Sequence, residues 1–266
     1  MRVLAVDWSG ALTGAHKKIW LAEASGGNLV RLESGRGRDE TADLLLAEAA
    51  ATPGLVVGLD FAFSLPAWFL AERDLRNAQE LWALVDREGE AWLRECRPPF
   101  WGRPGACRPL ADGLRDQLRH TEQVAPNTGS SRPKSVFQIG GAGAVGTGSL
   151  RGMRLLNRLH ANGFSVWPFD PPGWPRVVEI YPRLLTGPVV KSSRAACEDY
   201  LRGHHPGLGA RWLPVASASE DAFDAAVSAL MMAEHVDSLC DLPRADSEVI
   251  SQEGLIWYPG WERSAL

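Results

Sequence analysis

Four aspartates occupy positions where a folded chain can bring carboxylates together. Asp7 lies within the apolar run RVLAVDW, and Asp60 ends a second apolar run, LVVGLD. Asp221 and Asp224 are three residues apart in a helix-forming stretch, so they share one face of a helix. A carboxylate within a buried strand is costly unless a proton or a cation compensates it. The positions therefore predict one shared carboxylate site.

The chemistry expected of such a site is metal-assisted hydrolysis. Ligand sets made only of oxygen select hard ions such as Mg²⁺ or Mn²⁺. Two such ions roughly 4 Å apart can activate water and stabilise the leaving oxygen when a phosphodiester is cleaved. Glu179, in the apolar run VVEIY, is a fifth candidate for the same site. For two of the acids simpler roles stay open: Asp60 could cap the next segment, and Asp221 could favour a helix N-terminus.

The first part of the chain predicts three antiparallel strands. Two turns, both containing glycine, separate three apolar stretches. This arrangement implies that consecutive strands are neighbours. We predict these strands at 2–8, 18–24 and 29–33. A doubly wound nucleotide-binding fold would instead alternate strand and helix from the beginning.

A crossover helix then predicts a parallel strand beside the first. Residues 39–51 are rich in helix formers with acids at the start, and the short apolar run 55–60 follows. If this run pairs with the first strand, Asp7 and Asp60 lie side by side in the sheet. A helix packed beside that sheet would bring Asp224, and with it Asp221, to the same place.

The rest of the chain alternates helices and one more strand. The best-marked helix covers 218–236, where Ser217 and Glu220 have the spacing of a capping box. The other predictions are helices at 66–96, 149–161 and 193–203 and a buried strand at 177–181.

Length and composition are those of one α/β domain. The 266 residues, 45% of them hydrophobic, can bury a substantial core. We predict a single domain over 1–266, with a helical and Gly/Pro/Arg-rich insertion at about 66–165. No apolar run approaches the roughly 20 residues that cross a bilayer. The start, MRVLAVDWSG, reaches Asp7 too soon for a signal peptide, so we expect a cytoplasmic protein without a membrane partner.

Charge is distributed unevenly along the chain. The overall net charge is −4, but the segment 97–160 holds ten basic and three acidic residues, a net charge of +7. Such asymmetry can build a positive surface for a polyanion, although a solvated loop would have the same composition. Arg132, Lys134 and Arg151 are the candidates for contacting the phosphates of a nucleic acid.

Five sequence motifs together resemble one family. They are LAVDWSG at the start, GLDFAFSLP, VFQIGGAGAVGTGSL, EIYP and EDAFDAAVSAL, spread from about residue 3 to 235. The chain resembles the DUF429 family, a group predicted to be nucleases of the ribonuclease H-like superfamily. The resemblance implies a ribonuclease H-like mixed sheet, three antiparallel strands followed by parallel strands, flanked by helices.

The order of the acids also resembles that of RuvC-type Holliday-junction resolvases. By that resemblance Asp7 would bridge two metal ions, Asp60 would hold one and Asp224 the other, with Asp221 assisting. The long basic insertion departs from those enzymes. We predict a metal-dependent nuclease that uses two Mg²⁺ or Mn²⁺ ions and acts on DNA or RNA.

Three other functions remain open. Gly141, Gly143 and Gly146 satisfy G-x-G-x-x-G, which alone is weak support for dinucleotide binding. The turn DWSG faintly resembles the phosphate loop of actin-type and sugar-kinase phosphotransferases, which share the ribonuclease H-like core, but the chain is short for their two domains. A non-catalytic module that binds nucleic acid or protein is the third.

Overall fold

The structure is a computed structural model that describes residues 1–106, 117–126 and 133–262. Its centre is one mixed β-sheet, which contains seven strands within these ranges. The strands are β1 (Arg2–Asp7), β2 (Trp20–Ser25), β3 (Asn28–Ser34), β4 (Leu55–Leu59), β5 (Ser165–Val166), β6 (Arg176–Ile180) and β7 (Ile256–Trp257).

Helices cover both faces of this sheet. The helices that precede β5 in the chain are α1 (Arg38–Ala51), α2 (Ala67–Ala71), α3 (Ala78–Glu95), α4 (His120–Val124) and α5 (Gly146–Ala161). Those after β6 are α6 (Pro182–Thr186), α7 (Arg194–His204), α8 (Leu213–Ala216), α9 (Glu220–Glu234), α10 (Val236–Cys240) and α11 (Glu248–Glu253). A short 3₁₀ helix, Ala15–Lys17, precedes β2.

The first three strands form an antiparallel meander. β2 pairs with β1 on one side and with β3 on the other. The turn between β2 and β3 consists of Gly26 and Gly27, with φ angles of 56° and 75°. Both angles are positive, as a two-residue hairpin turn with the right-handed twist requires, and glycine adopts them without strain.

The other half of the sheet is parallel. β4 pairs with β1, and β6 pairs with β4, so the order is β3-β2-β1-β4-β6-β5. The short strands β5 and β7 pair with different parts of β6. The central strands are buried along almost their whole length, which explains their near-continuous apolar sequences. The predicted α/β class and mixed sheet are confirmed.

Two hydrophobic layers form because side chains alternate between the faces of each strand. Leu4 and Val6 of β1 join the layer that includes Trp82 of α3 and the apolar side of α5. Val3 and Ala5 join the opposite layer, which includes much of α9. Segment 66–165, which the sequence predicted as an insertion, thus contributes α3 and α5 to the main helical layer on one face.

Most predicted elements are present, and their boundaries shift by a few residues. The segment 66–96 is divided into α2 and α3, where the sequence predicted mainly helix. The last long helix begins at Glu220 because Ser219, and not Ser217, is its cap: the Ser219 hydroxyl accepts a hydrogen bond from the Ala222 amide. Ser217 instead ends α8 and donates to the Leu213 carbonyl.

The strands β5 and β7 have two residues each and were not predicted, since so short a stretch carries no periodicity. Among the residues that the structure describes, none of the helices has both the length and the apolar character needed to cross a bilayer.

Candidate active site

Asp7 and Asp60 lie side by side at the carboxyl ends of β1 and β4. These strands are parallel, with Val6 opposite Leu59, and the Asp60 amide donates a hydrogen bond to the Val6 carbonyl at 3.1 Å. Neighbouring strands are about 4.8 Å apart, so the next residues along each strand are adjacent. Asp7 is only 9% exposed, because helix α9 packs against β1 and β2.

Helix α9 brings two further carboxylates into electrostatic range. Burial raises the pKa of Asp7 well above its usual value, and the negative charges of Asp60, Asp224 and Asp221 add to the rise. Asp224 is largely buried, whereas Asp221 lies one turn closer to the helix start and is half-buried. The four aspartates that the sequence singled out therefore share one electrostatic environment.

Burial and mutual repulsion make these carboxyl groups hard to ionise. Burial raises the pKa of Asp60 to about 8, and the charge of Asp224 contributes to that rise. Within the described ranges, no side chain forms a hydrogen bond or a close ion pair with the carboxylates of Asp7 and Asp60. The pair therefore needs either protons or a cation to compensate its charge.

Lys191 is the cation that the fold itself supplies. It lies between α6 and α7, and its side chain is only 7% exposed. Its Nζ is 2.5 Å from Oδ1 of Asp224 and 2.7 Å from Oδ2, and it meets hydrogen-bond geometry at Oδ2. Burial raises the pKa of Asp224, and this ammonium opposes the rise.

Glu179, at the end of β6, is engaged by a buried arginine. Nη2 of Arg119 is 2.5 Å from Oε1 of Glu179, and Nη1 donates to Oε2 at 2.9 Å. The Phe63 amide donates to the same Oε2 at 2.8 Å. Both oxygens are therefore occupied in this structure, so Glu179 stabilises the site's wall here and is not free to bind a metal ion.

Arg119 also binds Glu122, which lies one turn further along the chain, with Nη2 and Oε1 at 2.8 Å. Burial lowers the pKa of Arg119, but the two carboxylates outweigh this effect and keep it above its usual value. Burial raises the pKa of Glu122, and the guanidinium opposes the rise. The three groups form one ion-pair network with a net charge of −1, and all three line the cavity described next.

A cavity of about 540 Å³ opens at the carboxyl ends of the parallel strands, and of the four aspartates Asp60 is the one that lines it. This edge of an open α/β sheet is the usual place for a ligand. Asp60, Glu179 and the backbone around Gly148 of α5 form parts of its wall. Lys18 and Lys134 also line the cavity, and neither forms an ion pair with a described residue.

The three residues predicted to contact phosphates differ in where their side chains lie. Lys134 lines the cavity, with Nζ 3.4 Å from the Ala142 carbonyl. Arg151 does not face solvent: it is 7% exposed, makes two hydrogen bonds to Glu90, at 2.7 and 2.9 Å, and donates to the Gly10 carbonyl. Its guanidinium links α5 to α3 and to the turn after β1, and it is not available to a phosphate. Arg132 lies outside the described residues.

The sequence analysis did not select Lys191 and Arg119. An isolated lysine after VV and an arginine in an irregular stretch carry no periodic signal that marks them as buried. Each finds its partner far along the chain, 33 residues away for Lys191 and Asp224 and 60 residues away for Arg119 and Glu179.

The fit to a divalent ion depends on which carboxylates are considered. In the described part of the chain, no three Asp, Glu, His or Cys side chains are close enough together to hold one ion. Asp7 and Asp60 alone fit, because Mg²⁺ is often bound by one or two carboxylates plus waters and substrate phosphate. Asp224 could join them only if its ion pair with Lys191 rearranged.

Comparisons of the chain with protein-family models, with curated proteins and with solved structures found no match. Its class is therefore defined by fold and site alone. It is an α/β protein with a mixed sheet, in which two adjacent parallel strands end in Asp7, which is buried, and Asp60, which lines a cavity.

Proposed function

We propose that this protein is a metal-dependent hydrolase of phosphodiester bonds, a nuclease with a ribonuclease H-like fold. The observation that carries the proposal is the pair formed by Asp7, which is buried, and Asp60, which is partly buried, on neighbouring parallel strands. Among the described residues, no basic side chain is in ion-pair contact with either carboxylate. The order of the sheet, a meander followed by parallel strands, is compatible with that fold. The motifs that resemble the DUF429 family support the same assignment.

Asp7 and Asp60 are the residues that would hold Mg²⁺ or Mn²⁺. A bound ion supplies positive charge that makes water a better nucleophile and offsets charge on the phosphoryl oxygens. Helix α9 packs against β1 and shields Asp7 from solvent. The oxygen of a water molecule forms a bond to phosphorus and releases one proton to solvent, the bond from phosphorus to the leaving oxygen breaks, and that oxygen takes up one proton from solvent.

The cavity and its lysines support a phosphate-containing substrate. Lys18 and Lys134 lie on the wall of the cavity and can contact phosphate oxygens without first breaking an ion pair. The net charge of +7 over residues 97–160 also favours a polyanion. We therefore propose DNA or RNA as the partner.

A phosphotransferase of the actin and sugar-kinase type receives less support. The described residues build a single sheet, whereas that type needs two related domains. A non-catalytic binding module would have no need of two buried aspartates whose charge is uncompensated, since such groups cost folding free energy.

The proposal is tested with Asp7→Asn and Asp60→Asn. The matched control is Asp199→Asn, whose side chain is 81% exposed. Each protein is incubated with labelled single-stranded DNA, duplex DNA and RNA, with Mg²⁺, with Mn²⁺ or with a chelator. We expect metal-dependent cleavage that falls at least about 100-fold in the two site variants, because the ion contributes several kcal/mol and each factor of ten corresponds to about 1.4 kcal/mol.

The control should cleave at the wild-type rate, and circular dichroism should show that all variants are folded. Cleavage by Asp7→Asn at the wild-type rate would exclude Asp7 as an essential ligand. Wild-type protein that cleaves none of the three substrates with either metal would contradict the nuclease assignment.

A further inference from the structure

Lys191 is buried against Asp224, the carboxylate that the sequence predicted as the ligand of a second metal ion. Its side chain is 7% exposed and that of its partner, Asp224, is 15% exposed. The segment that carries it is attached to α7, because the thiol of Cys197 donates to the Lys191 carbonyl at 3.4 Å. A lysine buried in this way is costly unless an anion compensates its charge, so the ion pair with Asp224 stabilises both groups.

The ammonium belongs to the same electrostatic cluster as the metal-binding pair. The charge of Lys191 acts on Asp7 and on Asp60 as well as on Asp224. Other basic groups near the site have different roles. Arg183 donates to the Gly187 and Val189 carbonyls at 3.0 and 2.8 Å, and Lys18 is exposed. Among the described residues, Lys191 is therefore the buried lysine of this cluster.

Asp224 cannot hold this ammonium and a divalent ion through the same oxygens at the same time. Nζ is within 2.7 Å of both oxygens of the carboxylate. Mg²⁺ would need to approach one of them to about 2.1 Å, which would bring two positive charges into close contact. A second metal ion at Asp224 therefore requires that Lys191 leave.

We propose that the Lys191 ammonium is the second cation of the site, so that the protein binds one divalent ion, between Asp7 and Asp60, in place of the two that the sequence predicted. This inference rests on the proposed function.

The number of bound ions tests the inference directly. Binding of Mn²⁺ is counted by calorimetry and by the electron paramagnetic resonance signal of free Mn²⁺, on the full chain without substrate. The proteins are wild type, Lys191→Met, Lys191→Arg and Asp7→Asn, with Lys17→Met as the control that removes an exposed lysine. Thermal unfolding of each protein shows whether the variant is folded.

We expect one ion in wild type, in Lys191→Arg and in Lys17→Met, none in Asp7→Asn, and two in Lys191→Met. The arginine variant keeps a positive charge beside Asp224, so it separates the effect of charge from that of packing. If Lys191→Met fails to fold, a count of one in wild type and in Lys191→Arg, abolished by Asp7→Asn, still supports the inference.

Two ions bound to wild type and lost in Asp7→Asn would overturn the role of Lys191 and leave the proposed function intact. One ion in a folded Lys191→Met would also overturn it, because removal of the ammonium would not have opened Asp224 to metal. Wild-type protein that binds no Mn²⁺ would contradict the metal site itself, and with it the proposed function.

Discussion

At the scale of single residues, the fold places several carboxyl groups where burial and mutual repulsion disfavour their ionised form. Asp60 ends a fully buried strand, and its pKa of about 8 reflects burial first and the charge of Asp224 second. In an unfolded chain the pKa of aspartate is about 3.9. The folded protein therefore binds a proton at Asp60 over a pH range in which the unfolded chain has released it.

This difference predicts how stability depends on pH in the absence of metal. Since the folded state binds more protons, the free energy of unfolding falls as pH rises from about 4 to about 8 and then levels off. Asp60→Asn removes this loss, so at pH 8.5 we expect it to be more stable than wild type by several kcal/mol, since each unit between the two pKa values corresponds to about 1.4 kcal/mol. The measurement is urea denaturation with a chelator present, at pH 5 and at pH 8.5.

At pH 5 the two proteins should differ much less, because the Asp60 carboxyl of the wild type is then protonated. Asp199→Asn, which changes an exposed carboxylate, serves as the control and should follow the pH dependence of wild type. An equal gain in stability for Asp60→Asn at both pH values would show that the effect is packing and not ionisation.

At the scale of elements, helix α9 approaches β4 closely enough that only glycine fits at one position. A Cβ at Gly58 would lie 2.5 Å from Sδ of Met232 and 3.1 Å from Cδ1 of Ile180. Ala225, Ala226 and Ala229 are buried along the same helix. Small residues on both elements thus allow the close packing that holds Asp224 near the strand ends.

Gly58→Ala is therefore expected to destabilise the protein by about 1 to 2 kcal/mol, since overpacking forces the flexible end of Met232 to move. Gly54→Ala is the matched control, because a Cβ at Gly54 has no neighbouring atom within 4 Å. The free energy of unfolding is measured for both variants, for Met232→Ala and for the double variant Gly58→Ala/Met232→Ala.

In the double variant the new methyl group enters space that Met232 has vacated, so its loss of stability should be smaller than the sum of the two single losses. Strictly additive losses would mean that β4 and α9 do not meet at these two residues.

At the scale of the whole molecule, Arg119 joins three distant parts of the chain. It precedes α4, binds Glu179 of β6 and donates to the Glu253 carbonyl of α11 at 3.0 Å. Glu253 in turn accepts hydrogen bonds from the His120 amide at 2.5 Å and from the Ala67 amide at 2.6 Å. The C-terminal segment is thus part of the structure that supports the site.

We expect Arg119→Met to destabilise the protein by about 3 to 5 kcal/mol, because it leaves the buried carboxylates of Glu122 and Glu179 without a cation. Arg76→Met removes the solvent-exposed ion pair between Arg76 and Glu80 and should have little effect on stability, because solvent screens such a pair. Urea denaturation at pH 7 compares the two, and a loss as small for Arg119→Met as for Arg76→Met would contradict the structural role of the network.

Local patterns in the sequence determined the framework of this protein. The apolar runs around Asp7 and Asp60 predicted strands, the glycines at 26–27 predicted a tight turn, and the stretch 39–51 predicted the crossover helix. These features depend on residues a few positions apart, so they can be recognised without knowing the fold. They were enough to anticipate that the two aspartates would be neighbours.

Only the tertiary structure decided how the site's charges are compensated. It paired Lys191 with Asp224 and Arg119 with Glu179, and it turned Arg151 inward to Glu90. The partners are 33, 60 and 61 residues apart in the chain. Such pairs depend on where loops and irregular segments are placed once the sheet has formed, because burial then requires each charge to find an opposite one.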